Sequence, residues 1–106
     1  MSSMTWSSTE KKIARRVFDA ALERELAEIM AAFKERAAKA TRPEEMWAVE
    51  KYLAEARRGI EKTYDYRYSQ LHFVFGRLLR EKRIEERDLE GLSEDHLAAV
   101  RRIASF

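Results

Sequence analysis

Two histidines, His72 and His96, are the side chains in this chain most suited to moving a proton near neutral pH or holding a metal. Neither has the company that such chemistry needs. A helical metal site wants a second ligand at i+3 or i+4, and a di-carboxylate site in a bundle wants Glu-x-x-His on facing helices. Here His72 follows Ser69, and His96 follows Ser93. With Asp95 beside it and Ser93 one turn back, His96 reads as part of a solvated helix start. Cysteine is absent, which removes disulfides, thiolate ligands and thiol nucleophiles. No Gly-rich phosphate loop, nucleophile elbow or zinc-binding helix motif occurs, and Glu85-Glu86 reads as charged surface. The expectation is a chain with no catalytic residues, no metal and no cofactor, whose work is interaction.

Charge narrows the partners. Lys plus Arg number 21 and Asp plus Glu 19, for a net charge of +2, with the two signs interleaved along the chain. The Arg-Arg pairs at 15–16, 57–58 and 101–102 sit among carboxylates that cancel much of their field, so no nucleic-acid partner is expected. The longest apolar stretches fall far short of the roughly 20 residues needed to cross a bilayer. Residues 1–10, MSSMTWSSTE, lack the basic then apolar regions of a signal peptide. A cytoplasmic protein without membrane insertion is expected.

With 106 residues, 3 Gly and 1 Pro, and Ala, Leu, Glu, Lys and Arg dominant, the chain reads as one all-helical folding unit. Ser7 with Glu10 forms a capping box, and no breaker follows until Thr41-Arg42-Pro43. A helix of that length is roughly 50 Å long, against a radius of gyration of about 13 Å for a compact domain of this size. Its apolar residues form two stripes: Ile13, Ala14, Val17, Phe18 and Ala21 on one face, and Leu22, Leu26, Ile29, Phe33 and Ala37 roughly a quarter turn away. Two stripes ask for two neighbours, one of them a helix from a second copy.

Thr41, Pro43 and Glu44 mark a second helix, and Met46, Val49, Leu53, Ala56, Ile60 and Tyr64 form its seam as an antiparallel hairpin on the first. Trp47 falls off that seam beside Glu50, Lys51 and Arg58. It is either a surface aromatic folded over Lys stems or a subunit contact. In residues 63–79, TYDYRYSQLHFVFGRLL, the tyrosines alternate like a strand. Tyr64, Tyr68, Leu71, Phe75, Leu78 and Leu79, however, keep a helical period that predicts a third helix capped by Thr63 or Asp65, with Tyr64 and Tyr68 buried and Tyr66 turned away. Phe73 then lies opposite the stripe, near Tyr66, Gln70, Arg77 and Arg80. It is either covered by the fourth helix or part of an interaction patch. After a short turn or partial helix over 85–89, Ser93 caps a last helix with Leu97, Val100, Ile103 and Ala104 on its apolar face.

Trp6-Ser7, Arg24-Glu25-Leu26, Trp47 followed by Tyr52-Leu53, Arg57, and above all YDYRYSQLHFVFGRLLRE from 64 to 81 resemble the fluorescence recovery protein family of cyanobacteria and its relatives in other bacteria. The likeness runs in order through nearly the whole chain. It implies an all-α homodimer: a long helical hairpin stalk, residues 1–62, dimerising into a four-helix arrangement, and a small helical head, residues 63–106, that binds a partner. It further implies a non-enzymatic regulator that binds the photoactivated orange carotenoid protein, chiefly its C-terminal domain, and hastens its return to the resting orange form. That return ends quenching at the phycobilisome. In a cyanobacterium it would work at the cytosolic face of the thylakoid.

Carried over by position, Trp47 and Arg57 match the family's stalk patch near the dimer interface, with Glu50 and Lys51 beside them. Phe73 matches a head aromatic that holds the carotenoid protein, and Tyr66, Gln70, Arg77, Arg80, Arg101 and Arg102 complete the expected partner surface. Cyanobacterial members tend to have His-Asp shortly after the stalk Trp, where this chain has Glu50-Lys51. A partner-binding Lys near the C-terminus appears here as Ala99, with Arg101 and Arg102 as substitutes. Such departures point to a divergent homologue, and they leave open an alternative: a dimeric helical adaptor for a different protein in an organism without phycobilisomes.

Overall fold

A computed structural model describes residues 5–106; the first four residues of the N-terminal stretch read above lie outside them. Among the described residues there are four α-helices and no strand: α1 Ser8–Lys39, α2 Pro43–Thr63, α3 Leu71–Arg80 and α4 Glu94–Ala104, with a 3-10 turn at Glu86–Leu89. The chain is all-α, as expected.

Local chemistry sets the helix starts. The Ser7 Oγ accepts from the Glu10 amide at 3.1 Å while the Ser7 amide donates to Glu10 Oε1 at 3.0 Å, the reciprocal box read from the sequence. At α2, Glu45 Oε1 accepts from the Thr41 and Arg42 amides at 3.1 and 3.0 Å, and Pro43 occupies the first turn, where an amide proton has no helical partner. Ser93 caps α4, its Oγ accepting from the His96 amide at 3.3 Å.

The chain divides into two compact units. One comprises the residues up to Ala21 together with Asp65–Phe106. Its core is Trp6, Ile13, Ala14, Val17, Phe18 and Ala21 from the N-terminal part, with Leu71, Val74, Phe75, Leu78, Ile84, Leu89, Leu92, Ala99 and Val100. Phe75, Leu71, Leu78 and Leu89 are fully buried, each worth about 1.5–3 kcal/mol of transfer free energy. Helices α3 and α4 pack so closely that a Cβ on Gly76 would lie 2.5 Å from Ile103 Cβ. Gly91, at φ +105°, makes the turn before α4, where a side chain would meet Ile13 Cδ1. The first of the two stripes on α1 is thus the buried one.

The other unit is Leu22–Tyr64. It contains no fully buried residue: Leu22, Ile29 and Phe33 of the second stripe are half-buried, and Leu26 is 45% exposed. Along the α2 seam, Val49, Leu53, Ala56, Ile60 and Tyr64 are half-buried, while Met46 is 52% exposed. Inside this unit the Tyr64 hydroxyl donates to Glu25 Oε1 at 2.7 Å, and the Arg36 guanidinium lies 4.2 Å from the Tyr52 ring centroid.

The third helix differs from the sequence expectation. It begins at Leu71 with Gln70 as its cap, so residues 64–70 are not helical, and neither Thr63 nor Asp65 caps it. Thr63 Oγ1 donates back to the Gly59 carbonyl within α2. Asp65 Oδ1 accepts from the Arg67 amide at 3.2 Å and pairs with its guanidinium, a local bond that competes with helix. Tyr64 is half-buried on the side expected, but Tyr66 and Tyr68 exchange their expected roles. Tyr66 is half-buried, edge-on to Phe18 at 4.9 Å, and Tyr68 is 40% exposed.

Candidate functional site

His96 does not sit at a solvated helix start. It is 1% exposed, and packing of α3 against α4 brings His72 to it, His72 Nε2 and His96 Nδ1 being 2.7 Å apart. His96 Nε2 lies 2.9 Å from the Thr5 carbonyl oxygen, which can only accept, so Nε2 carries the proton. In the neutral ring, Nδ1 is then left to accept from His72 Nε2–H. Trp6 stacks on His96 with centroids 3.9 Å apart and completes the cluster. Below it Glu10, 8% exposed, accepts through Oε2 from the Ser93 amide at 2.8 Å and lies 3.7 Å from His96 Nε2. The Ser7 and Ser93 amides hold the Glu10 carboxyl below its usual range against the opposing effect of burial. Burial first, then the proximity of the His96 imidazole and the Arg102 guanidinium, lower the pKa of His72. This cluster ties the N-terminal segment to both C-terminal helices, and no local pattern announces it, because Trp6 and His96 are 90 positions apart.

Phe73 is 55% exposed on α3, between residues of the same helix that are buried, and Gly76 is the surface that meets α4. The fourth helix does not fold over it. The residues grouped with it are less uniform. Arg77 keeps 14% of its side chain exposed, with Nη1 donating to Glu81 at 2.9 Å. Arg80 is exposed and donates to the Ile103 carbonyl at 3.2 Å. Gln70 is half-buried at the cap. Tyr66 is not on a common helical face with Phe73, because the helix starts after it. Arg101 is engaged by Glu86 and by Glu94, the latter at 2.8 Å, and the Glu86 bond is the main cause of its raised pKa. Arg102 is exposed, and Ala99 is buried in the core, away from any surface.

In the unit Leu22–Tyr64, Trp47 is 60% exposed, Glu50 and Lys51 are exposed, and Arg57 is exposed with Nε 3.2 Å from Glu61. The same unit carries an apolar groove of about 640 Å³, lined chiefly by Phe33, Ala37, Pro43, Met46, Val49 and Leu53; of Trp47, Glu50, Lys51 and Arg57, Glu50 also lines it. Exposed apolar surface on this scale marks an interaction site more often than an idle one.

Residues 6–104 match a family model described as photoprotection regulator fluorescence recovery protein. The chain belongs to the fluorescence recovery protein family. It is 30% identical over 99 residues to the fluorescence recovery protein of Synechocystis sp. (strain ATCC 27184 / PCC 6803 / Kazusa), spanning 93% of this chain and 91% of that protein. Among solved structures, the fluorescence recovery protein of Fremyella diplosiphon matches with a TM-score of 0.91 at 29% identity, over 96% of this chain and all of the other. The Synechocystis structure matches equally well, with a TM-score of 0.91 and 29% identity over the same shares. The family is one of photoprotection regulators. Among the described residues, no helix is long and apolar enough to cross a membrane.

Proposed function

We propose that this chain is a homodimeric regulator that binds the photoactivated orange carotenoid protein, chiefly through that protein's C-terminal domain, and speeds its return to the resting orange form. The observation that carries the reading is the family match over residues 6–104, joined to an uncovered Phe73 at the position where the family likeness puts a partner-holding aromatic. No covalent step is needed. The regulator acts by holding the compact form, or the transition state leading to it, more tightly than the open one. Phe73 supplies the apolar anchor, with Arg77 and Arg80 on the same helix and Gln70 at its cap; Arg102 of α4, and Tyr66 and Arg101, complete the proposed partner surface.

Dimerisation is assigned to the unit Leu22–Tyr64, with Trp47, Glu50, Lys51 and Arg57 at its centre. Its support is the absence of any fully buried residue across Leu22–Tyr64, where a second copy would cover Leu26, Met30, Met46 and Trp47. The deciding experiment mixes the protein with photoactivated carotenoid protein in darkness and follows the absorbance. Recovery accelerates with the unsubstituted chain and is lost or strongly slowed with Phe73→Ala. No acceleration at several-fold molar excess would overturn the proposal.

A further inference from the structure

On α1, at about 100° per residue, Lys11, Lys12, Arg15 and Arg16 fall on the face opposite the buried Ile13, Val17 and Ala21. All four are exposed, and with Tyr66 and Tyr68 they line an open groove of about 390 Å³. The sequence made the 15–16 pair look cancelled by carboxylates. Folding undoes that cancellation: Glu10 turns inward to the Ser7 and Ser93 amides, and Asp19 takes a single contact, 3.1 Å from Arg15. Lys11, Lys12 and Arg16 make no ion pair among the described residues.

Two of the cations are held in place by the rings. The Arg15 guanidinium lies 3.5 Å from the Tyr66 centroid and the Lys11 ammonium 5.1 Å from that of Tyr68. Tyr66 is itself fixed, edge-on to Phe18 and to Tyr68, with its hydroxyl 3.4 Å from the Lys11 carbonyl. A guanidinium lying on a ring keeps N–H donors along its edge, and fixing it beforehand lowers the ordering cost of a ligand.

We propose that this groove is a docking surface for an acidic segment of a partner protein, an extended stretch whose carboxylates meet Lys11, Lys12, Arg15 and Arg16. Two observations favour a protein over a nucleic acid. The four cations span about 8 Å of helix, far less than the row of about 6–10 phosphate contacts that holds a duplex. The face of Tyr66 already carries Arg15, so it offers no platform for stacking a base. An anionic membrane is disfavoured because the groove's lining adds no aliphatic side chain that could enter the acyl boundary. This surface goes beyond the carotenoid-protein reading and does not rest on it.

The test titrates the isotopically labelled full chain with hexaglutamate peptide and follows the backbone amides by NMR. Shifts should concentrate at residues 11–16 and 66–68. Lys12→Glu with Arg16→Glu, both free of internal ion pairs, should weaken binding at least about tenfold, while Lys34→Glu with Lys62→Glu should change it by less than about twofold. The same spectra report whether each variant is folded. Shifts centred on other basic residues, equal loss in both double variants, or no binding would overturn the proposal. So would tighter binding at the same amides by a short DNA duplex or by phosphatidylserine-containing vesicles.

Discussion

The Glu10 carboxylate joins three parts of one unit: it caps α1 through the Ser7 amide, receives the Ser93 amide that precedes α4, and lies under His96. Charged acceptors of backbone N–H groups contribute about 1.5–3 kcal/mol each, and a neutral amide keeps one acceptor oxygen. Glu10→Gln should therefore cost about 2 kcal/mol, read as a lower urea midpoint with an unchanged slope. Acid should act in the same direction. Glu10 has a lowered pKa when folded, so the stability it adds is present above the ordinary value of 4.5 and is lost as pH falls through and below it. His72 has a lowered pKa too, but as a base: the unfolded chain takes up a proton near 6.5 that the folded chain resists, so stability rises with pH through the region just below 6.5. A urea series from pH 7.5 to 5 should show this decline, and His72→Gln should flatten the part of it nearest 6.5.

At the scale of elements, the starts of α1, α2 and α4 were legible because they depend on residues within four positions. Ser7 with Glu10, and Ser93, are cases in which the side chain and the orphan amide it serves are near neighbours in sequence; at α2, Thr41 and Pro43 marked the start, but the acceptor that serves the amides is Glu45 and not the Glu44 read from the sequence. The stretch 64–70 was misread for the opposite reason. Its helical period is real, yet Asp65 bonds the Arg67 amide and Tyr66 docks on Phe18, and those local and long-range contacts outweigh a pattern that six or seven residues carry only weakly. The His72–His96 pair was invisible because nothing near either residue announces Trp6. Close helix contact is equally silent in sequence. Gly76→Ala would push a methyl against Ile103, and overpacking of this kind costs about 1–3 kcal/mol. Thermal unfolding should fall accordingly, while Gly59→Ala, which meets nothing within 4 Å, should be neutral or slightly stabilising.

For the molecule as a whole, the two units are built differently: one has a closed core, and the other leaves its apolar residues half open. If a second copy covers the open unit, a charge placed at its most exposed aromatic should be costly. Trp47→Glu should shift the protein towards the monomer mass of 12.5 kDa in light scattering, whereas the unsubstituted chain should give about twice that. The sequence has two tryptophans, and they fall one to each unit. Trp6 is stacked on an imidazole and shielded, which should make its emission blue and quenched; Trp47 stands in water, which should make its emission red and bright. The chain thus carries a separate optical label on each of its parts. In a Trp6→Phe variant, a blue shift on concentrating the sample would report assembly with no dye attached, and in a Trp47→Phe variant the remaining signal would brighten as the N-terminal segment lets go of His96.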